Sequence, residues 1–230
     1  MTLEREVLIS ALRMTKAHDA QIEEISSDAR VPAQIVHRIM RRNSEMKIVK
    51  LEGRTVVMSS EQRMMAAIRI TELGGDLERV CKLLEWDEFE DVSALAFESN
   101  GFSVRKHFHF KHLERKWEID ILALKNPIVV SVDCKHWQRG WRGSSIAKIA
   151  DSQIMRTKAL AEASSLLLEK MGLRKWKEAR FVPIILSLLP SNFKFYRDVP
   201  IVPILQLRNF LNEVPAYLHS LTHFSKVYLD

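Results

Sequence analysis

Residues 116 to 135 read KWEIDILALKNPIVVSVDCK, and this stretch decides the fold. Two apolar runs flank Asn126-Pro127, a pattern typical of two antiparallel strands joined by a tight turn. Because side chains in a strand alternate between its two faces, Asp133 and Lys135 share one face and Cys134 points to the other. The stretch therefore predicts a hairpin that presents an acid and an amine on one surface.

The turn also predicts which residues pair across this hairpin. If it is centred between Asn126 and Pro127, Asp120 lies opposite Asp133, with their carboxylates roughly 5 Å apart. Such a pair is destabilising unless a cation compensates, and Mg²⁺ or Mn²⁺ prefers oxygen ligands of this kind. A one-residue slip caused by Pro127 would instead send Asp120 to the opposite face.

From Trp86 onward the pattern alternates between helices and strands. This order predicts an α/β unit, a central mixed sheet covered by helices. The opening helix, within WDEFEDVSALAFESNGF at residues 86 to 102, carries Glu90. Asp87 followed three residues later by Glu90 is also a capping-box spacing, so Glu90 has a structural interpretation beside a catalytic one.

The series Glu90, Asp120 and Asp133-Cys134-Lys135 resembles the PD-(D/E)xK nuclease superfamily, closest to Mrr-type restriction endonucleases and archaeal Holliday-junction resolvases. The resemblance covers roughly residues 86 to 214, although Ile119 stands where the family pattern has proline. It implies a restriction-endonuclease-like fold and hydrolysis of DNA phosphodiester bonds. It also implies Asp120, Asp133 and Glu90 as ligands of Mg²⁺ or Mn²⁺, with Lys135 at the phosphate or the attacking water.

The helix predicted from Ile146 to Glu162 adds one residue to this set. In several branches of the superfamily a glutamine on this helix supports the active site, which assigns that role to Gln153. The alternative is an ordinary surface position. The candidate catalytic residues are therefore Glu90, Asp120, Asp133, Lys135 and Gln153.

The first 60 residues predict a separate DNA-binding domain. Three short helices followed by a hairpin around Glu52-Gly53 resemble the winged helix-turn-helix family. That resemblance implies DNA contacts from the third helix and from the wing, namely Gln34, Arg38, Arg41, Arg42 and Arg54. A solvated basic face, or a protein-docking role, is the alternative. Residues 61–85 are predicted as a helical connector and residues 86–230 as the nuclease-like domain.

Two basic segments flank the proposed active site. The loop after Lys135 mixes tryptophan and arginine, so Arg139 and Arg142 are candidate DNA contacts, unless its tryptophans merely anchor the loop on the core. His107 and His109 share a strand face, but the neighbouring cations oppose metal binding. A basic strand near DNA is the favoured interpretation.

Composition favours a polyanionic partner, because the net charge is +6 and the pI about 9.4. No apolar run approaches the roughly 20 residues of a membrane span, so we expect a cytoplasmic protein without a membrane partner. Two isolated cysteines, Cys81 and Cys134, indicate neither a disulfide framework nor a zinc site, and we expect both to be small buried side chains. The predicted function is a metal-dependent endonuclease acting on double-stranded DNA, with a homodimer as one way to cut both strands. The alternatives are a structure-selective nuclease and a non-catalytic DNA-binding regulator.

Overall fold

The computed structural model describes residues 2–76, 79–80, 82–135, 143–187, 190–191 and 193–228, with backbone only for residues 143 and 144. Contacts within the chain divide it into two units, Met1–Val92 and Ser93–Asp230. Within the described ranges, no helix is both long enough and apolar enough to cross a bilayer.

The first unit combines helices with a small antiparallel sheet. Its elements are α1 (Leu3–Met14), β1 (Ala20–Gln21), α2 (Ile22–Ala29), α3 (Ala33–Glu45), β2 (Lys50–Glu52), β3 (Thr55–Val57) and α4 (Ser60–Glu72). The strand order is β1-β3-β2. Gly53 turns the chain between β2 and β3 with φ +63, a conformation that glycine adopts without a steric penalty. The three helices and the hairpin predicted for residues 1 to 60 are present, and the winged-helix assignment stays a prediction.

A buried arginine holds the first unit together. Arg63 on α4 is 3% exposed, and its guanidinium is paired with the carboxylate of Glu88. It also donates to the carbonyl oxygens of Leu12 (2.8 Å) and Leu83 (2.7 Å) and to Thr15 Oγ1 (2.7 Å). Because a buried charge is tolerated only when it is paired and hydrogen-bonded, this network ties α4 to α1 and to residues as far along as Glu88.

The second unit is built on a mixed sheet. Helix α5 (Trp86–Ser99) crosses the division at Val92, and the elements after it are β4 (Ser103–His112), β5 (Arg115–Lys125), β6 (Ile128–Lys135), α6 (Gly143–Ala163), α7 (Leu168–Met171), β7 (Glu178–Ser187), β8 (Phe195–Tyr196), β9 (Val199–Pro203), α8 (Leu207–Tyr217) and β10 (Phe224–Val227). Among the described residues the sheet has seven strands in the order β4-β5-β6-β7-β9-β8, with β10 paired to β7. The pairs among β4, β5 and β6 are antiparallel, whereas β6–β7 and β7–β9 are parallel. This mixed sheet with its helices confirms the predicted fold class.

The packing of α6 and the pairing of β5 with β6 position the candidate site. One core cluster joins Leu160 of α6 to Leu122 of β5 and Phe181 of β7, all fully buried. In the β5–β6 ladder, Lys125 pairs with Ile128 and Ile121 pairs with Val132. This is the predicted register, and the Asn126–Pro127 peptide bond within the turn is cis.

Candidate active site

Asp120 and Asp133 lie at adjoining positions of β5 and β6, immediately beyond the Ile121–Val132 pair. Asp133 Oδ2 is 2.9 Å from the Nζ atom of Lys135, so the two side chains meet on one face, as strand alternation predicted. Asp120 Oδ2 accepts a 2.7 Å hydrogen bond from the backbone N–H of Cys134. The strand ends therefore bring two carboxylates and an ammonium together.

Asp133 is a buried carboxylate with two cationic partners. Its side chain is 4% exposed, Lys135 contacts Oδ2, and Nη1 of Arg156 donates to Oδ1 at 2.8 Å. Arg156 comes from α6, and its side chain is 21% exposed. Because a buried charge must be compensated within the fold, these two cations neutralise Asp133 in the absence of a metal ion.

Gln153 is hydrogen-bonded both to β6 and to Arg156. It is fully buried, and its Nε2 atom donates to the carbonyl oxygen (2.7 Å) and the hydroxyl (3.2 Å) of Ser131 on β6. Its Oε1 atom accepts a 3.3 Å hydrogen bond from Arg156 Nη1. The surface-position alternative for Gln153 is therefore wrong, because the side chain links the sheet to the cation that holds Asp133. Its catalytic role stays a prediction.

Asp120 has a perturbed ionisation. Burial, reinforced by the negative charge of Asp133, raises the pKa of Asp120 above its usual value. The Cys134 N–H and the positive charges of Lys135 and Arg156 partly oppose that rise in pKa. The ionised form of Asp120 is thus disfavoured unless additional positive charge is brought to it.

A sulfur atom lies beside this carboxylate. Cys134 is fully buried, as its place in a strand core predicted, and its Sγ atom lies within 4.8 Å of a carboxylate oxygen of Asp120. Mg²⁺ does not use thiolate ligands, whereas softer metals do. Among the described residues around Cys134, the oxygens of Asp120 and Asp133 are donors that suit Mg²⁺ or Mn²⁺. The prediction that Cys81 is buried falls outside the described residues.

Glu90 belongs to the first unit. It is 2% exposed, and its Oε1 atom accepts a 2.7 Å hydrogen bond from the indole N–H of Trp86. Helix α5 begins at Trp86, so Asp87 lies inside the first turn rather than at the N-cap of a capping box. The capping interpretation is therefore wrong, and the assignment of Glu90 as a metal ligand stays a prediction.

One residue near the acids, Arg156, was missed by sequence reasoning, and a second, His107, takes an unexpected backbone conformation. Arg156 carried a usable signal, since residues three apart lie on one face of a helix and Gln153 was already a candidate. His107, considered above only together with His109, is skipped by the β4–β5 pairing at the position facing Asp120, and its φ is +49. Non-glycine residues with positive φ cluster at functional sites, so His107 is a further candidate site residue.

The predicted DNA-contacting residues fall into three groups. On α3, the side chains of Gln34, Arg38, Arg41 and Arg42 are all exposed. On the turn before β3, Arg54 is also exposed, and its Nε atom donates to Glu23 Oε1 at 2.8 Å. Arg139 and Arg142 lie outside the described residues. DNA contact by all of these residues stays a prediction.

Comparison with known proteins yields few relatives. No family model matches the chain. An uncharacterized protein from Archaeoglobus fulgidus is 29% identical over 136 residues, which span 59% of this chain and 95% of that protein. Two solved structures are similar: a Vibrio cholerae protein, VC1899, with a TM-score of 0.37, 13% identity and coverage of 95% of this chain and 52% of that one, and the restriction endonuclease FokI, with a TM-score of 0.37, 14% identity and coverage of 96% and 44%. The chain spans about half the length of these two structures.

Proposed function

We propose that this chain is a metal-dependent deoxyribonuclease that hydrolyses phosphodiester bonds. The observation that carries the proposal is the meeting of two carboxylates and an ammonium at adjoining strand ends. Asp133 contacts Lys135 at 2.9 Å, and burial, together with the negative charge of Asp133, raises the pKa of the neighbouring Asp120. Active sites hold like charges close together even though this lowers the stability of the fold. The close pair of carboxylates therefore supports a catalytic role.

The donor set fits a hard divalent cation. Asp120 and Asp133 supply carboxylate oxygens, and added positive charge would relieve their repulsion. Glu90 is assigned as a third ligand on the sequence resemblance alone. A bound Mg²⁺ or Mn²⁺ would stabilise charge developing on a scissile phosphate and lower the pKa of a coordinated water.

The remaining roles, binding the phosphate and orienting the carboxylates, fall to side chains and backbone of this chain. An ammonium has three N–H donors, so Lys135 can hold Asp133 and still donate to a phosphate oxygen or to the attacking water. The Cys134 N–H fixes the orientation of the Asp120 carboxylate. Arg156, held by Gln153, keeps Asp133 in place before a substrate arrives.

Double-stranded DNA is the proposed substrate. The exposed cations of α3 and the net charge of +6 favour phosphate contacts, which supply most of the affinity of DNA-binding proteins. In this proposal the first unit acts as a winged helix that recruits or orients duplex, and a homodimer would allow both strands to be cut.

A second candidate, a DNA-binding regulator without catalytic activity, is favoured by one observation. Both carboxylate oxygens of Asp133 already contact cations of the same chain, Lys135 and Arg156. A protein that no longer bound a metal ion would need cations of its own chain to balance the negative charge of Asp133. The regulator and the nuclease therefore differ in whether a metal ion can displace Arg156.

Incubation of supercoiled plasmid with the full chain, in Mg²⁺, Mn²⁺ or EDTA, separates the two candidates. We expect metal-dependent nicking that Asp133→Asn and Lys135→Ala each abolish. Asp151→Asn is the matched control, because Asp151 on α6 also pairs with an arginine, Arg197, but its side chain is 40% exposed. Binding without nicking in every condition would support the regulator and refute the nuclease.

A further inference from the structure

The hairpin formed by β4 and β5 ends in an exposed leucine. His112 pairs with Arg115, so Leu113 and Glu114 form a two-residue turn. Leu113 is 84% exposed, one of the most exposed large apolar side chains among the described residues. Most of its apolar surface is therefore not buried by the fold.

The turn is also an unfavourable place for these residue types. Leu113 has φ +45 and Glu114 has φ +61. Two-residue hairpin turns with positive φ at both positions strongly prefer Asn-Gly, because other side chains meet steric resistance there. Leucine at this position therefore offers the folded state neither burial nor a relaxed backbone, which points to a role outside folding.

The surroundings of the tip are cationic. Residues 103 to 118 contain five lysines or arginines against two glutamates, namely Arg105, Lys106, Lys111, Arg115 and Lys116 against Glu114 and Glu118. Lys111, Arg115 and Lys116 beside the tip are exposed. The guanidinium of Arg115 lies 3.8 Å above the Trp117 ring, which holds it close to the strand. An exposed apolar residue is thus framed by positive charge.

We propose that Leu113 is a wedge that enters a DNA duplex at a branch or unpaired step, while the flanking cations contact the two backbones. DNA-bending proteins insert single apolar side chains between base steps in this manner. A stable protein partner would need roughly 800 Å² of this surface, far more than one leucine offers. The proposal rests on the proposed function and narrows its substrate class to structured DNA.

The hairpin also fixes where the wedge would act relative to the acids. Arg115 and Asp120 are five residues apart on β5, which corresponds to ~17 Å along the strand. With β5 aligned along the duplex axis, at about 3.4 Å per base pair, the wedge would lie about five base pairs from the phosphate addressed by Asp120 and Asp133.

Binding of the full chain in EDTA tests the wedge without cleavage. The probes are a three-way DNA junction and a linear duplex of equal length, followed by fluorescence anisotropy, with 2-aminopurine placed at the branch to report unstacking. We expect tighter binding to the junction and an increase in 2-aminopurine emission. Leu113→Asn should weaken junction binding about ten-fold, since it removes the burial of a leucine side chain, leave linear binding unchanged and abolish the emission change.

Leu95→Asn is the matched control, since Leu95 is 42% exposed on α5, and the chain just after α5 contacts Lys125, at the other end of β5 from the turn. It should change none of these measurements. The melting temperature of Leu113→Asn should equal or exceed that of the wild type, because asparagine tolerates positive φ. Equal affinity of the wild type for junction and linear DNA, or equal behaviour of the two leucine variants, would overturn the wedge. A chain that shows the wedge but never cuts would instead refute only the nuclease.

Discussion

Replacing Arg156 by glutamine removes one of the two cations that neutralise Asp133. The Nη1–Oδ1 distance is 2.8 Å, and the side chains are 21% and 4% exposed. A hydrogen bond to a charged group contributes about 1.5–3 kcal/mol, and Lys135 still holds the other oxygen. Without metal, we therefore expect the free energy of unfolding to fall by about 2 kcal/mol, which lowers the melting temperature of a chain this long by about 4–8 °C.

A divalent cation should restore most of that loss, because it supplies the positive charge that the guanidinium provided. Thermal unfolding of the wild type and of Arg156→Gln, each in EDTA and in saturating Mg²⁺, measures this, and the Mg²⁺-induced rise should be larger in the variant. Arg197→Gln is the control: its 2.8 Å pair with Asp151 is largely exposed, so the loss should stay below about 1 kcal/mol. An equal Mg²⁺-induced rise in wild type and Arg156→Gln would refute competition between arginine and metal.

Three further changes have defined outcomes. Asp120→Asn should raise the free energy of unfolding by roughly 0.5–2 kcal/mol at neutral pH without metal. The raised pKa of Asp120 means that its stabilising contribution is present at low pH and lost as the pH rises, so in urea unfolding this gain should vanish as the pH is lowered towards about 4. Gln153→Ala should cost about 2–3 kcal/mol, seen as a lower urea midpoint, because it leaves the Ser131 carbonyl and Arg156 without that partner. Arg38→Gln should weaken binding to all duplex sequences alike and reduce the slope of log K against log salt by about one.

The β5–β6 register was predictable because it depends on local chemistry. A two-residue turn at Asn126-Pro127 allows one pairing, and the alternation of Asp133 and Lys135 around Cys134 assigns their faces. The pairing of β10 with β7 had no such signal. Four residues, Phe224–Val227, join a strand more than forty positions earlier, and a short edge strand of this kind is selected by the folded sheet rather than by its own pattern.

The candidate site was predictable to the same depth. Side chains that alternate along strands could be assigned, so the acids and Lys135 were found. The rotation of α6 about its axis, which aims Arg156 at Asp133 and buries Gln153, depends on packing against Leu122 and Phe181. The backbone N–H of Cys134, which orients Asp120, has no signature in sequence at all, because every non-proline residue carries one.

The hydrogen-bond network around Arg63 limits where recombination can divide the gene without destabilising the first unit. A gene fragment that ended after the hairpin would discard the arginine and strip hydrogen bonds from the Leu12 carbonyl and Thr15. A recombination event that moved only the first 60 codons would therefore transfer a unit that lacks these contacts. One that reached past Glu88 would transfer Arg63 together with its ion-pair partner. Shuffling between lineages should thus have breakpoints after Glu88, and lysine, which lacks the forked guanidinium, should not substitute at position 63.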